Sequence, residues 1–301
     1  MADQRTSFFD EISKNNLKSF LLLFLFGAFF VLIIYALVVI FGGGLFAIAI
    51  GIAIVAIYAI IVYTMGDRAV LALSGAKPAD KKQYPVLYDI VDGLATANQI
   101  PVPKVYVIND QNPNAFATGR SRKASSIAVT TGLLNMMNRS ELEGVIAHET
   151  SHILDSDIKV MMIAIIFAGA IGIIAAILRN AIFFGGVGGN RNAGVLILVA
   201  LAIGVLAPIL ALLIRLAISR RREYMADANG ARIIRDPDAL ASALTKIMNY
   251  EKNPQSAPMK NANEITANMY FATPFKVSSA WNWFSTHPPI EERIKRLKNM
   301  Y

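Results

Sequence analysis

The chain alternates between long uncharged stretches and ordinary amphipathic segments. Positions 20–41, 45–63, 160–178 and 193–214 hold no Asp, Glu, His, Lys or Arg over runs of 22, 19, 19 and 22 residues. At about 1.5 Å rise per residue, each makes a helix of roughly 28–33 Å, close to the thickness of a bilayer's hydrocarbon core. The remaining residues form two water-facing parts. In the first, Leu87, Ile90, Val91 and Leu94 recur at helical spacing and predict an amphipathic helix over 84–97. β-branched runs at 105–108 and 127–130 predict strands of a small sheet, separated by a turn-rich stretch over 109–123. Ser140 followed by Glu143 has capping-box spacing, and Leu142, Val145, Ile146 and Ile153 carry a helix on towards Asp155. In the second part a helix over 220–235 leaves the fourth apolar stretch, and Asp236-Pro237 opens another over 239–251. The polar stretch 252–284 reads as loop. Pro288-Pro289 then opens a last helix whose Ile290, Ile294 and Leu297 share one face.

This pattern divides the chain into four: 1–63 with two spans, 64–159 as the first half of a water-facing domain, 160–214 with two more spans, and 215–301 as the second half. Composition sharpens the picture. With 55% hydrophobic and 17% charged residues and a mean hydropathy of +0.47, a purely soluble enzyme is excluded. The first apolar stretch is too long for a cleavable signal peptide and should stay as an anchor. Cysteine is absent, so thiolate chemistry and disulfides are excluded and any metal must be held by His, Asp or Glu. The net charge of +8 gathers beside the apolar stretches, at Arg5, Lys14 and Lys18 and at Arg215, Arg220, Arg221 and Arg222, where it suits lipid headgroups better than nucleic acid. Arg68, Lys77, Lys81 and Lys82 follow the second stretch while the turn 42–44 is uncharged. The positive-inside rule therefore places the N-terminus and both water-facing parts on the cytoplasmic side. No phosphate-binding glycine loop is present, so no nucleotide is expected.

The strongest chemical signal is His148-Glu149-Thr150-Ser151-His152. Residues four apart share a helix face, so the two imidazoles can converge on one metal ion. Zinc with an open position lowers the pKa of water there to about 7, and the carboxylate of Glu149 stands beside it to take the proton. A third ligand is needed, and the candidates are Glu223, Asp227, His287 and the pair Asp155 and Asp157. Glu223 is preferred. It lies eight residues beyond Arg215, where the fourth apolar stretch leaves the membrane, as His152 lies eight before Val160, where the third enters, so a hairpin of spans brings both to one depth. Asp227, one turn further on, is placed to accept a hydrogen bond from the outer nitrogen of a ligating imidazole. Asp157 is either such a partner or a cap at headgroup level.

These motifs, with Glu223-Tyr224-Met225-Ala226-Asp227, Asn114-Ala115-Phe116-Ala117-Thr118-Gly119 and His287-Pro288-Pro289, resemble the HtpX-type integral-membrane zinc metalloproteases, relatives of the endopeptidases that process prenylated CAAX proteins. The resemblance extends over nearly the whole chain. It implies that His148, His152 and Glu223 bind one Zn2+, that Glu149 is the general base, and that the setting is quality control of membrane proteins. The expected fold is mainly α with a small β-sheet: a zincin-like (gluzincin) metalloprotease domain fused to four transmembrane helices, in a bacterial cytoplasmic membrane. Expected partners are the lipid bilayer and unfolded or extended polypeptides, including membrane proteins. The resemblance also directs Asn114, Ala115 and Phe116 towards substrate binding along a sheet edge, against a reading as a plain polar turn. His287 either caps the last helix or donates to the developing oxyanion. The rival class is a non-catalytic metal scaffold or metal transporter, which the lack of ionisable residues inside the apolar stretches disfavours.

Overall fold

In this computed structural model the described residues are 45–162, 220–253, 256, 259–261, 269–272 and 288–300, with isolated helical positions at 17, 20, 21, 24, 28 and 31. The second apolar stretch forms the beginning of helix α1, Leu45–Leu73. Phe46, Ile50, Ile57, Ile60 and Ile61 on that helix are exposed, as are Phe20 and Phe24. Among residues whose side chains are described, no helix is long and apolar enough to cross a membrane. Apart from those few positions and 160–162, the first, third and fourth apolar stretches lie outside the described residues, so four transmembrane helices are not shown.

The described residues 67–162 and 220–300 belong to one compact unit, and 45–66 to another. The first unit is built on a four-stranded mixed sheet: β1 (Ala76–Pro78), β2 (Lys104–Ile108), β3 (Ala115–Ser121) and β4 (Ala124–Thr130), in the order β1-β2-β4-β3. β2 and β4 run parallel, while the other neighbours are antiparallel. Helices α2 (Pro85–Ala97), α3 (Thr131–Met136), α4 (Arg139–Leu154), α5 (Arg220–Ile234), α6 (Pro237–Lys252) and α7 (Ile290–Lys298) complete it. The core joins Leu87, Ile90, Val91 and Leu94 of α2 to the inner faces of β2 and β4, to α4 and to Leu240 and Leu244 of α6.

Three details correct the sequence-based expectation. The stretch 109–123 contains a full strand, β3, although Ala115–Ser121 lacks the alternation that marks strands. Its conformation is imposed by the ladder to β4, with Ala115 opposite Val129 and Ala117 opposite Ile127. β1 and α3 are also additional, being three and six residues long and so below the reach of a periodicity argument. The cap of α4 is Asn138, not Ser140. Its side chain accepts from the Glu141 N–H at 2.9 Å, and Glu141 accepts from the Asn138 N–H at 2.8 Å, the same reciprocal box two residues earlier. Ser140 instead donates to Asp236 at 3.2 Å.

Helix α4 is buried from Glu141 to Ile153 at nearly every position, packed by α2, α5, α6 and β3. It meets α5 backbone to backbone. A Cβ placed on Gly230 would stand 2.9 Å from the His148 nitrogen and 3.1 Å from its Cα, so only glycine lets the two backbones meet. Gly230→Ala should therefore push α5 off the His148 turn and cost about 1–3 kcal/mol of stability, read as a lower midpoint in thermal unfolding of the detergent-purified chain.

Candidate active site

Helix α4 presents His148, Glu149 and His152, and α5 presents Glu223 and Asp227. All five are buried. His152 and Glu223 are 71 residues apart in the sequence and meet because α4 and α5 pack side by side; apart from 160–162, the spans of the hairpin argument lie outside the described residues. His148 Nε2 and His152 Nε2 face each other at 3.2 Å, and the Glu223 carboxylate lies 3.8 Å from the first and 3.6 Å from the second. One ligand atom from each residue falls within 4.8 Å of the other two. Two imidazole nitrogens and a carboxylate oxygen at that spacing fit a divalent ion with a further open position.

The outer nitrogens are held as firmly as the inner ones are aimed. His148 Nδ1 lies 2.9 Å from Asp227 and His152 Nδ1 3.0 Å from Asp157. A carboxylate at Nδ1 selects the tautomer with the proton there, leaving Nε2 bare for a metal. Asp157 is five residues from His152, beyond the reach of a regular helix turn. It returns because α4 ends at Leu154 and Ser156 adopts a left-handed φ of 61°. Asp157 also lies 3.3 Å from Arg222.

Electrostatics separates the members. Burial drives the His148 imidazole down to about 4 against the opposing pull of Asp227. Burial also works to lower His152, but its hydrogen bond to Asp157 and the charges of Glu223, Asp157 and Glu149 push it up to about 9. Burial raises the Glu149 carboxyl to about 7, with Glu223 adding to the rise, while His152 and a hydrogen bond from the Ala117 N–H oppose it. A metal can bind His152 only as its proton leaves. Metal affinity should thus fall as pH drops below about 9, by roughly tenfold per unit while one proton is released, a slope that chelator competition at several pH values would measure.

Strand β3 is the sheet edge nearest this cluster. Its Ala117 N–H donates to Glu149, whereas Asn114, Ala115 and Phe116 are fully buried and engaged with a later segment. The Ala115 carbonyl accepts from the Phe271 N–H at 2.8 Å. The Asn114 side chain both donates to the Ala272 carbonyl at 2.9 Å and accepts from the Ala272 N–H at 3.1 Å. The Phe116 ring meets Tyr270 edge-on at 5.2 Å, and Phe271 meets His148 edge-on at 4.9 Å. His287 lies outside the described residues.

The sequence reading missed Ala117, Phe271 and Arg293. Arg293 is 1% exposed, donates to both oxygens of Asp227 at 2.7 and 2.8 Å, and stacks over Phe271 at 4.7 Å. Its signal was available: position 293 falls on the face of α7 that carries Ile290, Ile294 and Leu297, where a charge is out of pattern.

Residues 81–301 match Peptidase family M48. The chain is 46% identical over 296 residues to a Protease HtpX homolog of Caldanaerobacter subterraneus subsp. tengcongensis, covering 96% of each chain. It is 47% identical over 240 residues to a Protease HtpX homolog of Thermococcus kodakarensis, covering 80% of this chain and 82% of that one. Among solved structures it resembles Ste24p of S. mikatae at a TM-score of 0.50 and 19% identity. That alignment covers 82% of this chain and 57% of that one, and it speaks for the fold alone.

Proposed function

The chain belongs to peptidase family M48, and on that premise we propose that it is a membrane-embedded zinc metalloendopeptidase cleaving unfolded or damaged membrane proteins at the cytoplasmic face. The observation that carries this reading is the convergence of His148, His152 and Glu223 within 4.8 Å beside the buried carboxylate of Glu149. One Zn2+ per chain would be held by those three residues, and when bound it supplies Lewis-acid polarisation of the scissile carbonyl and acidifies water at the site. Glu149 takes the proton of the attacking water and passes it to the leaving amine. Its rise towards 7 suits both halves of that task, since it can accept and give a proton near neutral pH. Asp227 and Asp157 hold the two imidazoles in the tautomer that directs Nε2 inward.

The substrate enters as an extended strand along the outer edge of β3, where main-chain bonds orient the scissile peptide. Ala117 lies next to Glu149 on that edge. Asn114, Ala115 and Phe116 continue that edge, where the Ala115 carbonyl accepts from the Phe271 N–H and the Asn114 side chain bonds Ala272, so the substrate strand begins beyond the 270–272 segment. His287 is retained as a donor to the oxyanion. The exposed apolar side chains of α1 suit lipid contact, and the four uncharged stretches are read as spans in the membrane, with 64–159 and 215–301 together forming the protease domain.

The test is metal dependence. Detergent-purified full-length chain should cleave an unfolded test protein, lose that cleavage when a chelator strips the metal, and regain it with stoichiometric Zn2+. Cleavage that persists without metal would refute the reading.

A further inference from the structure

Arg293 is a buried cation in a part of the chain that the mechanism above does not use. It sits on α7, the last helix, and none of its surface is open to water beyond 1%. Taking a guanidinium out of water is costly unless its donors are matched, and here they are. Nε and Nη2 form a fork on the two oxygens of Asp227 at 2.8 and 2.7 Å. Nη1 donates to the Phe271 carbonyl at 3.0 Å and lies 4.0 Å from Glu223. Asp227 itself lies 2.9 Å from His148 Nδ1.

We infer that Arg293 is a positioning residue of the metal centre: by holding the Asp227 carboxylate in a fixed plane, it fixes the His148 imidazole and so sets metal affinity from the C-terminal helix. The geometry has three consequences. The fork fixes which Asp227 oxygen faces His148: Oδ1 takes the Nη2 bond at 2.7 Å and lies 2.9 Å from His148 Nδ1, while Oδ2 takes the Nε bond at 2.8 Å. The planar fork constrains that choice, whereas a lysine ammonium would supply the charge but not the plane. The same guanidinium reaches the carbonyl of Phe271, whose N–H bonds to Ala115 on β3 and whose ring packs on His148. Docking of α7 therefore couples the metal residues to the edge strand through one side chain.

The inference rests on the metalloprotease reading, and the test separates the two. Zn2+ affinity of the full-length detergent-purified chain is measured by chelator competition, with the Co2+ absorption spectrum as a direct report of ligand geometry. Arg293→Lys and Arg293→Met should each weaken Zn2+ binding by about 10–100-fold, the range for losing a group that orients a ligating imidazole, and should alter the Co2+ bands. Asp227→Asn should do the same, and the double variant Asp227→Asn with Arg293→Lys should bind no more weakly than Asp227→Asn alone. Leu297→Ala, fully buried one turn further along α7, serves as the structural comparison: it should lower the unfolding midpoint yet leave Zn2+ affinity of the folded chain within about threefold. Affinity within threefold of the parent in both Arg293 variants, or losses that multiply in the double variant, would overturn the inference. A parent chain whose Zn2+ binding survives His148→Ala would instead overturn the metal site on which it stands.

Discussion

Replacing Glu149 with Gln will leave the fold and the metal site in place and lower peptide hydrolysis by about 10²–10⁴-fold. Glu149 is 1% exposed, lies between the two histidines in sequence, and receives the Ala117 N–H. Gln has the same shape and still accepts that hydrogen bond, but cannot take a proton from water. The substitution also removes a burden. The fold raises this carboxyl from its usual 4.5 to about 7, so the neutral form is the one the fold favours, and stability falls as pH rises from about 4.5 through 7. Gln is neutral throughout, so above pH 7 the variant should unfold at a midpoint equal to or above that of the parent. Metal content by elemental analysis, kcat/KM on an unfolded substrate and thermal unfolding at pH 8 check the three parts together. A variant that retains metal and loses less than tenfold in kcat/KM would remove Glu149 from the role of base.

Glu223→Ala should be the more severe change for the metal itself. Its carboxylate is the only one within 4 Å of both imidazole Nε2 atoms among the described residues, and alanine leaves two nitrogens where three ligands are needed. Zn2+ affinity should fall by more than the roughly 10–100-fold that loss of an outer partner such as Asp227 costs, and hydrolysis should fall to background. The fold should survive, because Arg293 keeps its two bonds to Asp227 when Glu223 is gone. Chelator competition distinguishes this variant from Glu149→Gln: one loses metal and activity together, and the other loses activity alone. Zn2+ binding of Glu223→Ala within tenfold of the parent would transfer the third position to another residue.

Family membership and site geometry support each other without repeating each other. The family says that the chain is a metallopeptidase. The geometry says which atoms converge, that Asp227 and Asp157 stand behind the two imidazoles, and that β3 brings a main-chain edge to Glu149. The scaffold and transporter alternatives give no reason for a carboxylate buried beside the histidines.

Much of this was legible in the residues themselves. Two histidines four apart on a helix must share a face, since the helix repeat is 3.6 residues, so His148 and His152 required no fold to be paired. The helix at 84–97 was readable because its apolar residues recur on one side, that at 220–235 because it continues an apolar stretch, and that at 239–251 from its Asp236-Pro237 start; α2, α5 and α6 occupy those positions. What sequence could not decide depended on partners distant along the chain. β3 carries no strand pattern of its own and exists through its ladder to β4. Asp157 meets His152 only because the backbone reverses at Ser156. Arg293, 66 residues from Asp227, is charged on an apolar face, an anomaly whose meaning appears only when α5 and α7 pack together. Local periodicity is set by backbone geometry and is written in consecutive residues, whereas the pairing of buried charges and strand edges is settled by which surfaces the folded chain brings within hydrogen-bonding distance.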